Sequence, residues 1–205
     1  VLPIHVAANH GHTAVLLQLL EAAPETAMAV NVEGCTPLHG AAVAGQTAAV
    51  EALLAAAPGT ATAAAGIGML PMHLAAQNGH TAVVQLLLEA VPGAATMVDG
   101  EGCTPLHWAA QEGHSGTAEL LLAVAPDIAT AAAGNGMLPI HAATLAGHTT
   151  VLRLLLAAAP ETSRAVDAAS NTPLHIAASE GHTASVELLL ATAPQTDDQI
   201  VHTMV

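Results

Sequence analysis

The 205-residue chain sets only two basic side chains, Arg153 and Arg164, against sixteen acidic ones, for a formal net charge of −14. That balance excludes nucleic acid and anionic membrane surfaces as partners, because both are held by Lys and Arg. Fifty-three per cent of the residues are apolar, yet there is one Trp and no Phe or Tyr, so a core must be assembled from Ala, Leu, Val and Met through many close backbone contacts.

The elements follow a fixed beat. Pro and His two residues later recur at Pro3/His5, Pro37/His39, Pro71/His73, Pro105/His107, Pro139/His141 and Pro173/His175, always 34 residues apart. Gly11, Gly45, Gly79, Gly113, Gly147 and Gly181 keep the same interval, as do Pro24, Pro58, Pro92, Pro126, Pro160 and Pro194. Six copies result, at approximately 1–34, 35–68, 69–102, 103–136, 137–170 and 171–205, within a single domain. The chain opens without Met inside the first copy, with Leu2 where others have a capping Thr, which predicts a fragment or processed form. The second copy enters through "GCTP" and the third through "GMLP". In the third, "TAVVQLLLEA" places Val83, Val84, Leu87 and Leu88 on one helical stripe, and Pro92 forbids continuation. No charge stands between Glu51 and Glu89, but Pro58, Gly59, Gly66, Gly68 and Pro71 interrupt that stretch, leaving no run of about twenty apolar residues for a membrane span.

The fourth copy begins "CTPLHWAAQEGH": Thr104 is placed to cap a helix, Pro105 to open it, Ala109 and Ala110 to let neighbours approach, and Gly113 to end it. Its second helix, "HSGTAELLL", is the weakest by composition. The fifth copy returns to "GMLP" and the sixth to "NTPLHIAASEGH", before the pattern dissolves in "TDDQIVHTMV". The entry sequences therefore alternate with a 68-residue beat, and Leu70 and Leu138 lack the capping hydroxyl, a loss that typically costs about 1 kcal/mol.

"CTPLHWAAQEGH" and "NTPLHIAASEGH", each followed by a Leu-rich run, resemble the ankyrin repeat family, with copies one residue longer than its usual 33. The resemblance spans residues 1 to about 194. It implies an all-α solenoid of stacked antiparallel helix pairs with projecting hairpin-like loops, and protein recognition by the loop tips and the exposed, concave side of the first helices.

Eleven of the thirteen histidines are set by the period, six after the repeat proline and five after the repeat glycine. Equivalent positions on helices stacked about 8–10 Å apart cannot share an ion held by bonds of about 2 Å, so these imidazoles are expected to bond backbone groups of turns and adjacent copies. The cluster His5, His10 and His12 is the one grouping at which zinc comes into question, and neither Cys nor acid stands nearby in sequence to complete a tetrahedral set. Cys35 and Cys103 are two copies apart, beyond disulfide reach, and their scarcity predicts a reducing, cytoplasmic setting. "AAAGIGML" lacks the Lys and the strand of a phosphate loop. These readings point to no catalytic constellation, no cofactor and no metal.

The resemblance implies contact residues position by position. At the tips these are Val32, Glu33, Ile67, Glu101 and Asn135; two residues before the proline, Cys35, Met69, Cys103 and Met137. Late in the first helices they are Val43, Gln77, Asn78, Gln111, Glu112 and Leu145. Trp108 joins them as either a binding anchor or a space-filling residue. The expected function is that of a scaffold or adaptor whose partner is an apolar or helical protein, basic at its edges. The alternatives are a structural accessory subunit of a large assembly, or the interaction arm of a larger enzyme or channel.

Overall fold

The computed structural model describes residues 2–192; Pro194, His202 and "TDDQIVHTMV" lie outside them. Among the described residues the chain forms six helix pairs. The first helices are α1 (Pro3–Asn9), α3 (Pro37–Val43), α5 (Pro71–Gln77), α7 (Pro105–Glu112), α9 (Pro139–Leu145) and α11 (Pro173–Glu180). Their partners are α2 (Thr13–Ala22), α4 (Thr47–Ala56), α6 (Thr81–Ala90), α8 (Ser115–Val124), α10 (Thr149–Ala158) and α12 (Thr183–Thr192). Each first helix packs on the next first helix and each second on the next second, so the copies stack in file.

Small residues make that stacking close. The paired alanines Ala7–Ala8, Ala41–Ala42, Ala75–Ala76 and Ala109–Ala110 are all buried along the inner faces of the first helices. Leu16, Leu53, Leu87, Leu121 and Leu155 fill the space behind them from the second helices, and Val83, Val84, Leu87 and Leu88 are buried as one stripe. The compositionally weak α8 forms at full length. Its Thr117 is buried, with its hydroxyl 2.8 Å from that of Thr81 in the preceding copy. The connection after each of the first five second helices holds a feature the sequence did not reveal. Pro24–Met28, Pro58–Thr62, Pro92–Thr96, Pro126–Thr130 and Pro160–Arg164 are short 3-10 turns in which the second proline begins a new element rather than only ending the old one.

The first-helix start differs from the expected cap. Imidazole Nδ1 of His39, His73, His107, His141 and His175 accepts the backbone N–H of the residue before the proline, at 3.0–3.2 Å, whether that residue is Thr or Leu. The Thr36 and Thr104 hydroxyls lie on the same Nδ1, at 2.8 and 2.9 Å, instead of reaching the helix donors. Thr172 alone also accepts from the third helical N–H, over 3.4 Å. Leu70 and Leu138 thus lose a hydroxyl contact to the ring but keep the ring's bond to the main chain.

In His39, His73, His107 and His141, with Nδ1 accepting, Nε2 carries the proton and donates farther along the chain, to the connection that leads into the following copy or to that copy itself. His39 reaches the Met69 carbonyl at 3.3 Å and His107 that of Met137 at 3.1 Å; His5, whose Nδ1 is buried without a partner, still reaches the Cys35 carbonyl through Nε2 at 3.1 Å. His73 lies between the carbonyls of Met97 (3.2 Å) and Cys103 (3.1 Å), and His141 reaches Ala165 at 3.1 Å. The histidines after the repeat glycine bond in the opposite direction. His80, His114 and His182 donate to the Val43, Gln77 and Leu145 carbonyls of the preceding copy at 2.9, 3.0 and 3.1 Å. Gln46, which stands in this register in the second copy, sends its amide N–H to Asn9 over 3.4 Å and so reproduces the bond. Gly79 has φ +70°, and a Cβ there would lie 2.5 Å from the His114 ring, so both the turn and the overlying imidazole require glycine.

Burial lowers the pKa of His39, His73, His107 and His141, with the carbonyl bonds opposing it only in part. The folded chain holds these rings neutral, whereas unfolding frees them to protonate below about pH 6.5. Their contribution is complete above that pH and is lost as the pH falls from there toward the folded-state values. The urea midpoint is therefore expected to be lower at pH 5.8 than at pH 7.5, with proton uptake on unfolding; calorimetry in two buffers of different ionisation enthalpy measures that uptake directly.

Candidate functional site

The expected contact residues share a surface built by the hairpins and the outer side of the first helices. Val32 at 95 % exposure is the most open, Ile67, Leu145 and Val43 are exposed, and so are Glu33, Asn78, Glu101, Gln111, Glu112 and Asn135. Cys35, Met69, Gln77, Cys103, Trp108 and Met137 are half-buried, and none of the sixteen is in the core.

The hairpins are tied to one another by main chain. Gly66, Gly100, Gly134 and Ala168 donate to the Glu33, Ile67, Glu101 and Asn135 carbonyls of the preceding tip at 2.7–3.2 Å. A Cβ on Gly100 would lie 2.5 Å from the Ile67 carbonyl, so the small residues allow this contact. The tip residues thus commit their carbonyls to stacking and leave their side chains outward. The same holds late in the first helices, where Val43, Gln77 and Leu145 give their carbonyls to histidines.

Residues that sequence reasoning missed brace these hairpins. In alternate copies, Oδ1 of Asn31, Asp99 and Asp167 accepts the backbone N–H groups two and four residues later, at 2.8–2.9 Å. The three stand 68 residues apart, so the longer beat that distinguishes the entry sequences was the available signal. In the intervening hairpin Ala65 and Met69 exchange two main-chain bonds of 2.9 Å instead.

Asp99 carries a further load. It is buried at 5 % exposure, and its second oxygen accepts the indole N–H of Trp108 at 2.9 Å. Trp108 is therefore fixed within the chain, lying against the hairpin base rather than standing free. The two thiols are free of disulfides. Burial, with the Glu33 carboxylate beside it, raises the pKa of Cys35; burial, Asp99 and Glu101 raise that of Cys103 to about 11. Both are protonated and weakly nucleophilic at neutral pH. In the first copy His5 is committed to the Cys35 carbonyl, and the His10 and His12 rings stack with centroids 5.8 Å apart. Among the described residues no group of three or more His, Cys, Asp or Glu is arranged to hold a metal ion, and no helix is long and apolar enough to cross a membrane.

A family model for ankyrin repeats matches residues 2–64, 58–132 and 123–199, in three copies. The stacked helix pairs and their projecting hairpins are what that family builds, and the chain belongs to it. No curated protein matches the sequence. Ankyrin repeats are in general protein–protein interaction modules.

Asp99→Asn keeps Oδ1 for Glu101 and Cys103 but sets an amide N–H against the indole N–H. Its expected effects are a red-shifted emission from Trp108, the sole tryptophan, and a loss of about 1–3 kcal/mol in urea unfolding; Asn31→Asp, which breaks no such bond, leaves both nearly unchanged.

Proposed function

We propose that this chain is a non-catalytic recognition module, a scaffold or adaptor that binds a protein partner through its hairpin tips and the outer side of its first helices. The observation that supports this reading is the set of open apolar side chains at hairpin tips and late first-helix positions: Val32 in the first copy, Val43 and Ile67 in the second and Leu145 in the fifth. These side chains offer apolar contacts at the register positions where a partner would sit. Half-buried Met69 and Met137 add flexible thioethers that adapt to a partner's shape. The exposed carboxylates Glu33, Glu101, Glu112 and Glu180 flank these positions, while Arg153 lies in α10 and Arg164 in a 3-10 turn. Such a rim favours an apolar or helical segment with basic edges, and makes its association rate fall with added salt. A reducing compartment such as the cytoplasm fits two free thiols.

A second reading rests on exposed apolar side chains outside the sixteen expected contact positions. Val15 and Leu17 of α2, with Val30, Val98 and Val166, are also exposed, as in an accessory subunit embedded in an assembly or the arm of a larger enzyme or channel. One comparison separates the two. With a captured partner in hand, Met69→Glu and Ile67→Glu are expected to weaken binding at least about tenfold, or 1.4 kcal/mol, while Leu17→Glu changes it less than about twofold. The reverse order, measured by titration calorimetry, would assign the binding to the second-helix side.

A further inference from the structure

Alternate copies carry different residues at one first-helix position: Gly40, Trp108 and Ile176 stand 68 residues apart. In the fourth copy an indole occupies the space beside the hairpin base, its N–H on Asp99 at 2.9 Å. In the second copy the same space holds no side chain. A cavity of about 220 Å³ opens there, lined by Val6, Asn9, His10, Asn31, Cys35 and Gly40 among others. A Cβ built on Gly40 would lie 3.6 Å from the Asn9 Cβ, an ordinary contact, so a side chain at this position would project into the cavity along α1. An apolar cavity of about 150 Å³ accommodates benzene, so the available volume suits one aromatic ring.

The polar group at its base is reversed relative to the fourth copy. Oδ1 of Asn31 is occupied by the Glu33 and Cys35 backbone N–H groups, both at 2.9 Å. That orients the amide so that Nδ2, a donor, stands where Asp99 presents an acceptor to Trp108. A ring that fills the space must bring an acceptor to meet it. Indole brings only a donor and benzene neither; a phenol brings an oxygen.

We propose that the cavity between the first two copies receives a tyrosine side chain of the partner protein, stacked beside Asn9 and His10 and accepting a hydrogen bond from the Asn31 amide through its hydroxyl. This deepens the recognition reading and rests on it for the partner, but the pocket itself is testable without one. The probe is N-acetyl-tyrosinamide, titrated into the ¹⁵N-labelled chain and followed by amide NMR. Saturable shifts are expected at the Asn31 side-chain NH₂ and at the Cys35 and Gly40 amides, with a dissociation constant of about 1 mM, the scale for a ligand this small. N-acetyl-phenylalaninamide is expected to bind about fivefold more weakly, the worth of one hydrogen bond, and N-acetyl-tryptophanamide more weakly still.

Gly40→Trp places in the cavity the side chain that the fourth copy carries, and is expected to abolish the shifts while the remaining amides keep their folded dispersion. Should that variant fail to fold, Gly40→Phe sets a single, smaller ring in the same space. Asn31→Asp restores the acceptor found at Asp99 and is expected to bring the tryptophan amide above the phenylalanine amide. The proposal is overturned if no saturable shift occurs at Asn31 and Gly40, if the shifts persist in the folded Gly40 variants, or if Asn31→Asp leaves the preference order unchanged. A partner whose binding is weakened by Met69→Glu while the tyrosine amide leaves the Asn31 region unmoved would retain the recognition surface and remove only the pocket.

Discussion

Everything in this array depends on imidazoles that bond on both sides. In four consecutive inner copies, Nδ1 of the histidine after the repeat proline accepts the N–H that opens its own first helix; Nε2–H of His39, His73 and His107 crosses to a carbonyl of the next copy, and that of His141 reaches Ala165 in the connection leading to it. A neutral imidazole is the side chain with one acceptor and one donor set rigidly on opposite edges of a ring, so one residue both starts a helix and fixes the neighbouring hairpin. Neither Lys, which only donates, nor a carboxylate, which only accepts, could replace it. A helix of seven or eight residues is too short to persist unaided. The ring makes its start conditional on a neighbour, which is why the copies stand or fall as a stack.

The second set of histidines reinforces this from the other side. His80, His114 and His182 donate backward, over the glycine that ends the preceding first helix. Forward and backward bonds together occupy the polar main chain at both ends of α3, α5 and α9. What remains outward is side chain only. The surface is thus free to vary in composition without loosening the stack, and in this chain it is apolar and acid-rimmed. An alanine-rich core with a single tryptophan supplies little area per residue, and close approach of the first helices compensates through the number of contacts.

How much of this was legible in the sequence follows from which constraints are periodic. The 34-residue beat of Pro, His and Gly fixed the helix pairs, their boundaries and the structural role of the histidines, because those residue types have few other reasons to recur together. The 3-10 turns were not legible, since a proline after a helix reads equally as a terminator or as the start of something new. The threonine's partner was misjudged as well: a Thr before Pro reads as a helix cap, and only the fold shows the ring arriving first. At the surface, tip residues could be placed by register, but the bracing Asn31, Asp99 and Asp167 were hidden in hairpins whose conformation is set by side chain–main chain bonds. Trp108 was legible as exceptional but not as engaged, because its partner lies nine residues back in a loop.

The central claim concerns where protons sit, and nitrogen NMR of the imidazoles reads that directly. Two-bond ¹H–¹⁵N correlation spectra of the folded chain near pH 6.5 are predicted to show His39, His73, His107 and His141 as neutral Nε2–H tautomers, with Nδ1 at the shift of an unprotonated, hydrogen-bonded nitrogen. Cationic rings, or Nδ1–H tautomers at these positions, would contradict the account, because neither can both accept from its own helix start through Nδ1 and donate forward along the stack through Nε2.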